Sequence, residues 1–532
     1  MNVAFDPWIP VVTISGKPTL ASIAKVLSSG EEFADLAVRP HERVALMRLF
    51  LCVAHAALKG PKDYDEWKTV PQRLPDASQK YLGKWKGSFE LFDNKKPWLQ
   101  VADLSIKDTG EITSDHFSNW TPVSKLDFSL ATGNASTLFD HEGMAPRERE
   151  VQLHCIILAM LTFQCFSVGG LIGQIFWNGI RCGELANTSR ANGPVKSADG
   201  PCIPSSMLHA LLRSETITKT IWLNIPTYDD ISASYGNVTF GKPIWEKMPS
   251  NLTSCSNIAN ATETYVGRLV PLTRVIRLHP SGKCMLLGNG LTYGSFSSGF
   301  PQEPTATVIK KGDKRFLLSY RPSKALWREL AAIIVKRTAD GLGGPLSLRA
   351  LEDGEGCDLT ISALARDKAT IVDGIESHYN LPSQMLMDKG MASYDTEVKN
   401  AENLADLLAW AINIYRKEVD KGWEGKLKAA GPAKGKLKAK LHKNTTTHYW
   451  TTIEKHLSLL MKHIKAIGTD DAIPTRKNWR NKLFQSACDA YQISCGQETP
   501  RQMRAFAKGW QKLTDFRNNP EPRNNNNMEE KP

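Results

Sequence analysis

The sequence predicts an α+β protein: a large N-terminal mixed α/β domain over residues 1–390, a C-terminal antiparallel four-helix bundle over 391–517, and a disordered tail over 518–532. Three observations predict it. Stretches rich in β-branched residues fall between about Thr216 and Tyr320, helical periodicity without strand signals fills the chain beyond about residue 390, and the closing "NNPEPRNNNNMEEKP" is low-complexity. A chain of 532 residues is long enough to bury a large core and to form two or three domains.

The opening "FDPWIPV" reads as a short strand or turn, with Phe5, Trp8 and Ile9 packing inward between Pro7 and Pro10. A helix begins at Pro40, because proline tolerates the first turn and "HERVALMRLFLCVAHAAL" then runs without a breaker to Gly60. His55 on that helix reads as a packed core histidine. A second helix is expected from Pro146 through about Phe163, and it delivers the chain into Gly169, Gly170 and Gly173.

Strands are expected in "TITKTIWLNI", "TRVIRLHP" and "TATVIKKGDKRFLLSY", the last folded as a hairpin around Lys311-Gly312-Asp313. Helix is expected to return at Ser323 as N-cap with "KALWRELAAIIVKR" behind it, and "GLGGP" (Gly341–Pro345) reads as its C-cap and loop. Four helical segments follow, near 396–420, 445–466, 476–494 and 499–516. Leu404, Leu407, Leu408, Ile412 and Tyr415 stand at helical spacing in the first.

A formal net charge of +12 makes the chain a candidate for binding a polyanion. The charge concentrates in "KGWEGKLKAAGPAKGKLKAKLHKN", with eight lysines against one glutamate from Lys421 to Lys443. Its glycines and proline predict a mobile loop, either near a phosphate backbone or simply solvated, and Lys426, Lys428, Lys434, Lys436, Lys438 and Lys440 are its candidate contacts.

Ten scattered cysteines without a Cys-x-x-Cys pair argue against a zinc ribbon, and no signal peptide points to a disulfide scaffold, so reduced thiols in a cytoplasmic protein are expected. The apolar run Leu153–Trp177 is long enough for a membrane span, but three glycines and several polar residues favour a buried helix and a loop.

Asp140, His141 and Glu142 form the most catalytic-looking cluster. Neighbouring side chains diverge, and no second ligand cluster accompanies them, so a metal-dependent nuclease is the weaker reading. No Walker A loop, dinucleotide fingerprint or nucleophile elbow is present, and the expectation is a protein without catalytic activity, metal or cofactor.

Several of these segments, taken in order, resemble the large-subunit (CasA) family of the type I-E CRISPR Cascade complex. They are "FDPWIPV", "FELFDNKKPWLQV", "GNASTLFDHEG", "FQCFSVGG", "QEPTATV" with "KALWREL", and "ALARDKATIV" ahead of a helical C-terminus. The resemblance spans nearly the whole chain and implies the same architecture, an α/β domain followed by a four-helix bundle. It further implies a non-catalytic subunit that reads the protospacer-adjacent motif of double-stranded DNA from the minor groove, helps start strand separation and R-loop formation, and helps recruit a helicase-nuclease. Sequence identity of the target is left to guide pairing. Implied partners are the CRISPR guide RNA, target duplex, the backbone, handle-capping and small subunits, and transiently the helicase-nuclease.

By the resemblance, Ser167, Val168, Gly169 and Gly170 form a DNA-binding glycine loop. A minor groove about 6 Å wide admits backbone more readily than side chains, and glycine allows that approach. A helix C-cap with close packing is the plainer alternative. Asp367, Lys368 and Ala369 fall on the tip of a β-hairpin wedge, where lysine replaces the family's usual glutamine and leaves the wedge role open. Lys283 is the candidate lysine finger, with Arg274 and Arg277 as rivals. Asn134, Phe139 and His141 belong to a loop near the guide handle and motif DNA. A basic RNA-binding scaffold protein that does not read DNA is the third reading.

Overall fold

The computed structural model describes residues 1–106, 120–129, 151–167, 172, 175–182, 202–236, 239–294, 303–351, 354–367, 370–420 and 432–518. The chain forms two compact units, Met1–Glu352 with Cys357–Asn380, and Asp353–Gly356 with Leu381–Pro532.

In the first unit, strand Ile9–Thr13 lies between Pro18–Ala21 and Phe33–Leu36, antiparallel to both. Trp8 and Ile9 are fully buried, and the Trp8 indole N–H donates to the Val3 carbonyl at 2.8 Å. That bond satisfies the one polar group burial would strand. The helix Pro40–Leu58 starts with proline in its first turn, and the Glu42 carboxylate accepts from the Arg39 N–H at 2.8 Å. Apolar on nearly every face, it is a core element, packed by helices Val70–Lys84 and Leu153–Phe166 and by strand Cys357–Asp367. His55 is buried on it against the edges of Phe240 and Tyr265, with Nδ1 3.0 Å from the Gly60 carbonyl.

The other sheets are small and antiparallel. Arg274–Leu278 pairs with Cys284–Asn289, and Val308–Lys311 forms the expected hairpin with Lys314–Leu317, turning at Gly312 with φ +60°. Cys357–Asp367 lies between His209–Arg213 and Thr370–Leu381, and only residues 368–369 separate it from the latter strand.

Two expectations give way to tertiary context. "TITKTIWLNI" is a helix, Ile217–Leu223, because Thr216 caps it, accepting from the Lys219 N–H at 3.3 Å, and its Ile217 and Ile221 are buried. β-Branching lowers helix propensity by only a few tenths of a kcal/mol, about what one buried side chain outweighs. The helix expected behind Ser323 shrinks to a 3-10 turn, Leu326–Glu329, and one turn of helix, Leu330–Ile333. Beyond it Arg337 is drawn inward, donating to the carbonyls of Gly344 (2.9 Å) and Ala306, which extends the chain that helix would have coiled. The helix expected from Pro146 begins only at Leu153, after Gln152 in extended conformation, and runs to Phe166; residues 146–150 lie outside the described residues.

The second unit is helical: Asp388–Asp420, Pro432–Glu454, Leu457–Lys465, Ala472–Ser494 and Pro500–Asn518. The first packs against each of the others, and Leu404, Leu407, Leu408, Ile412 and Tyr415 are buried along it, as their spacing predicts. The lysine-rich segment is not a loop throughout. From Pro432 it is helix, since proline suits a helix start and the Lys, Ala and Leu that follow are good helix formers. All ten cysteines are free thiols, and among the described residues no helix is long and apolar enough to cross a membrane.

Candidate nucleic-acid interface

The site is built around Phe128. One residue earlier, Asp127 is gripped by the Arg39 guanidinium at 2.6 and 3.1 Å, and its Oδ1 accepts from the N–H and hydroxyl of Ser129 at 2.8 and 2.7 Å. Burial works to raise the Asp127 carboxyl, but the Arg39 and Ser129 donors outweigh it and hold the group below the usual carboxylate range. The anchor fixes the point where the chain enters residues 130–150. Asn134, Phe139, Asp140, His141 and Glu142 lie in that stretch, outside the described residues.

Phe128 stacks on Phe163, centroids 5.5 Å apart, near the C-terminal end of helix Leu153–Phe166. The helix ends at Ser167, which is buried. Here strand Arg274–Leu278 takes over. The Thr273 hydroxyl donates to the Gln164 carbonyl (2.6 Å), and the Gln164 side chain exchanges hydrogen bonds with the Arg274 backbone at 2.8 and 2.9 Å. Arg274 Nε donates to Ser167 Oγ (3.1 Å) and its Nη1 to Asn289 Oδ1 (2.6 Å), while the Ile172 N–H donates to the same Asn289 oxygen (3.2 Å). The chain thus leaves at Ser167 and returns at Ile172 held at both ends by one Arg–Asn pair. Val168, Gly169 and Gly170, between these ends, lie outside the described residues.

The hairpin contributes the third segment. The Ser206 hydroxyl accepts from the Arg366 N–H (2.9 Å) and donates to its carbonyl (3.2 Å), and Ser206 itself holds φ +57°. The Arg366 guanidinium lies over the Phe128 ring at 5.7 Å. Among the described residues its Nη1 and Nη2 are buried without a hydrogen-bond partner, and burial pushes its pKa down to about 10. Asp367, exposed, is the next residue; Lys368 and Ala369 lie outside the described residues.

Three segments named from sequence therefore issue from one locus: the chain after Ser129, the glycine stretch after Ser167, and the hairpin tip after Arg366. Lys283 is not brought to it. It is exposed at the far turn between strands Arg274–Leu278 and Cys284–Asn289, where a Cβ on Gly282 would meet Leu153 Cδ2 at 3.6 Å, at the N-terminal end of the helix whose other end carries Ser167. That helix is about 20 Å long, at about 1.5 Å per residue. Of the rivals, Arg274 is buried as the loop's anchor and Arg277 donates to the Ala102 carbonyl at 2.8 Å.

In the second unit, Lys440 is exposed on helix Pro432–Glu454, which also carries Lys434, Lys436 and Lys438; Lys426 and Lys428 lie outside the described residues. Sequence reading missed Phe128, Arg366 and Asn289. Their adjacency to named segments was the available signal, and Arg274, weighed as a finger, is buried here.

The fold and site define a protein with an α/β unit carrying this loop-bearing locus, followed in sequence by a helical unit. The family model described as CRISPR-associated protein Cse1 matches residues 2–490, and the chain belongs to that family. It is 28% identical over 429 residues to the CRISPR-associated protein CasA/Cse1 of Thermus thermophilus, covering 76% of this chain and 75% of that protein. Among solved structures it resembles Thermus thermophilus CasA (TM-score 0.72, 21% identity, 97% of this chain and 99% of that one). It also resembles a chain of a CRISPR RNA-guided surveillance complex (TM-score 0.68, 17% identity, 97% and 99%).

Proposed function

We propose that this protein is the non-catalytic large subunit of a type I-E CRISPR RNA-guided surveillance complex working in the cytoplasm. Residues 1–390 read the adjacent motif of duplex DNA from the minor groove through Ser167–Gly170, and the tip Asp367–Ala369 helps start strand separation. Residues 391–517, as a four-helix bundle in which Pro432–Glu454 and Leu457–Lys465 make one interrupted member, and the lysines from Lys426 to Lys440 face the other subunits and nucleic acid. The partners are guide RNA, target duplex, the backbone, handle-capping and small subunits, and a transiently recruited helicase-nuclease.

The observation that carries this reading is the convergence at Phe128. Backbone that approaches base edges must be held at its ends, and both Ser167 and Ile172 are held by the Arg274–Asn289 pair. A hairpin tip beside it is where inserted residues could unstack a base step, at a cost of about a few kcal/mol that contacts to the strands offset.

The test is target-duplex binding by the reconstituted guide-RNA complex over a library of adjacent motifs, comparing wild type, Gly170→Asp and Lys368→Ala. Gly170→Asp should abolish motif-dependent binding while assembly persists, and Lys368→Ala should weaken strand opening. Unchanged motif preference in both variants sinks the reading.

A further inference from the structure

On the helical unit, a pair of arginines is oriented by a carboxylate that neither shares with solvent. Glu397 of helix Asp388–Asp420 is fully buried, whereas Arg476 and Arg480 of helix Ala472–Ser494 keep 43% and 45% of their side chains exposed. Arg476 donates through Nε to Glu397 Oε1 at 2.7 Å. Arg480 donates through Nε (3.1 Å to each oxygen) and Nη2 (2.8 Å to Oε1). The carboxylate therefore consumes the inner edges of both guanidiniums. Both Nη groups of Arg476 and Nη1 of Arg480 have no protein partner among the described residues and remain on half-exposed side chains.

Two arginines four residues apart on one helix repel each other. One carboxylate cancels one of the two charges, so the cluster keeps a net positive charge, and Lys477 stands exposed beside it. The helix is fixed behind the pair by Trp479 and Leu483, both buried. The result is a rigid fork of outward N–H donors, one helical turn of about 5.4 Å wide, already oriented before a ligand arrives.

We propose that Arg476 and Arg480 form a phosphate-binding site that takes a backbone phosphate of a nucleic acid. Planar guanidiniums donate in pairs to phosphate oxygens, and donors from two residues suit a tetrahedral acceptor better than a planar one. The chain's +12 charge favours a nucleic acid over a basic surface as partner. The site deepens the reading above, since it presumes a chain that works against nucleic acid. It stands on a different helix from the lysines at 434–440.

The experiment uses the full reconstituted complex, with labelled guide RNA in one arm and labelled target duplex in the other, titrated across salt. Arg476→Gln leaves Arg480 paired side-on with Glu397, so the buried carboxylate keeps a partner. The affinity of one arm should fall about tenfold, the scale of one charge-assisted hydrogen-bonded contact, and the arm that falls identifies the source of the phosphate. The slope of log K against log salt in that arm should shrink by about 0.9 for one lost phosphate on a duplex, or about 0.7 on a single strand. Arg476→Lys, whose single ammonium is used by Glu397, should behave the same way and guards against a folding artefact. Glu397→Gln gives a change of sign: surface charge alone predicts tighter binding, whereas lost orientation predicts weaker binding.

Unchanged affinities and slopes in both arms overturn the proposal, as does a loss confined to retention of a protein subunit. Failure of the functional reading is distinguishable. A wild-type complex without motif-dependent duplex binding would remove that reading, while the salt slopes of the arginine variants would still report the phosphate site.

Discussion

Replacing Arg274 with methionine should separate stability from DNA recognition. Burial pushes the Arg274 pKa from its ordinary 12.5 to about 10, a penalty on the charged form of about 3 kcal/mol at 1.36 kcal/mol per unit. Methionine of similar reach removes that penalty. It also removes the bonds to Ser167 Oγ and Asn289 Oδ1, each worth about 1.5–3 kcal/mol for a charged donor. Neither group is left without a bond: Asn289 Oδ1 still accepts from Ile172, and the Ser167 hydroxyl lies 3.4 Å from Thr273 Oγ1, to which it donates because the Thr273 proton goes to the Gln164 carbonyl. The net cost is about 0–3 kcal/mol, below the 3–5 kcal/mol typical of breaking a buried ion pair.

Recognition should suffer more. Freeing even two residues of backbone at the loop's ends restores about 2–4 kcal/mol of ordering free energy as a binding cost, at least about 30-fold in affinity. The assay pairs thermal melting of the purified protein with motif-dependent duplex binding by the assembled complex. A melting point that collapses refutes the energy balance. A motif-dependent affinity equal to wild type refutes the claim that the Arg274–Asn289 pair holds a recognition loop.

Phe128→Ala should cost about 2 kcal/mol, less than a fully buried ring because Phe128 is half-buried, and should reduce both motif preference and strand opening since it supports two segments at once; loss of only one would show that the segments act separately. The first unit should be acid-labile. His41, His55 and His209 are buried, with pKa values pushed down to about 3, 4 and 3. Each ring stays neutral in the folded state but gains a proton below about pH 6.5 once unfolded, so stability is lost as pH falls. At pH 5 the loss is about 2 kcal/mol per ring, read from urea melts at pH 7.5 and 5, and His209→Gln should remove about a third of it. Purified protein with Mg²⁺ or Mn²⁺ should leave plasmid DNA intact; divalent-dependent cleavage that disappears in His141→Ala would instead establish a nuclease using Asp140, His141 and Glu142.

Sequence was informative where a local rule suffices. The helix at Pro40, the hairpin at Gly312 and the buried stripe from Leu404 to Tyr415 each follow from steric or periodic signals within a few residues. The family, too, was readable, because "FQCFSVGG" and "ALARDKATIV" stand in recognisable order along the chain. Local signals failed where packing outweighed propensity. Ile217–Leu223 coils despite its β-branching, because Thr216 caps it and its isoleucines find the core, and the stretch after Ile333 extends because Arg337 finds carbonyls 7 and 31 residues away.

By itself, then, the sequence determined the class of fold, the helical C-terminus and the family, and it marked out the short segments proposed for recognition. Only the tertiary structure decided which of those segments meet. Residues 128, 163 and 366 are far apart in the chain, and their stacking depends on how helix Leu153–Phe166 and the hairpin pack in three dimensions. The same packing buries Arg274 at one end of strand Arg274–Leu278 and leaves Lys283 exposed at the turn beyond the other, beside the N-terminal end of helix Leu153–Phe166, so the two ends of the strand serve different neighbours. No spacing in the sequence encodes that choice.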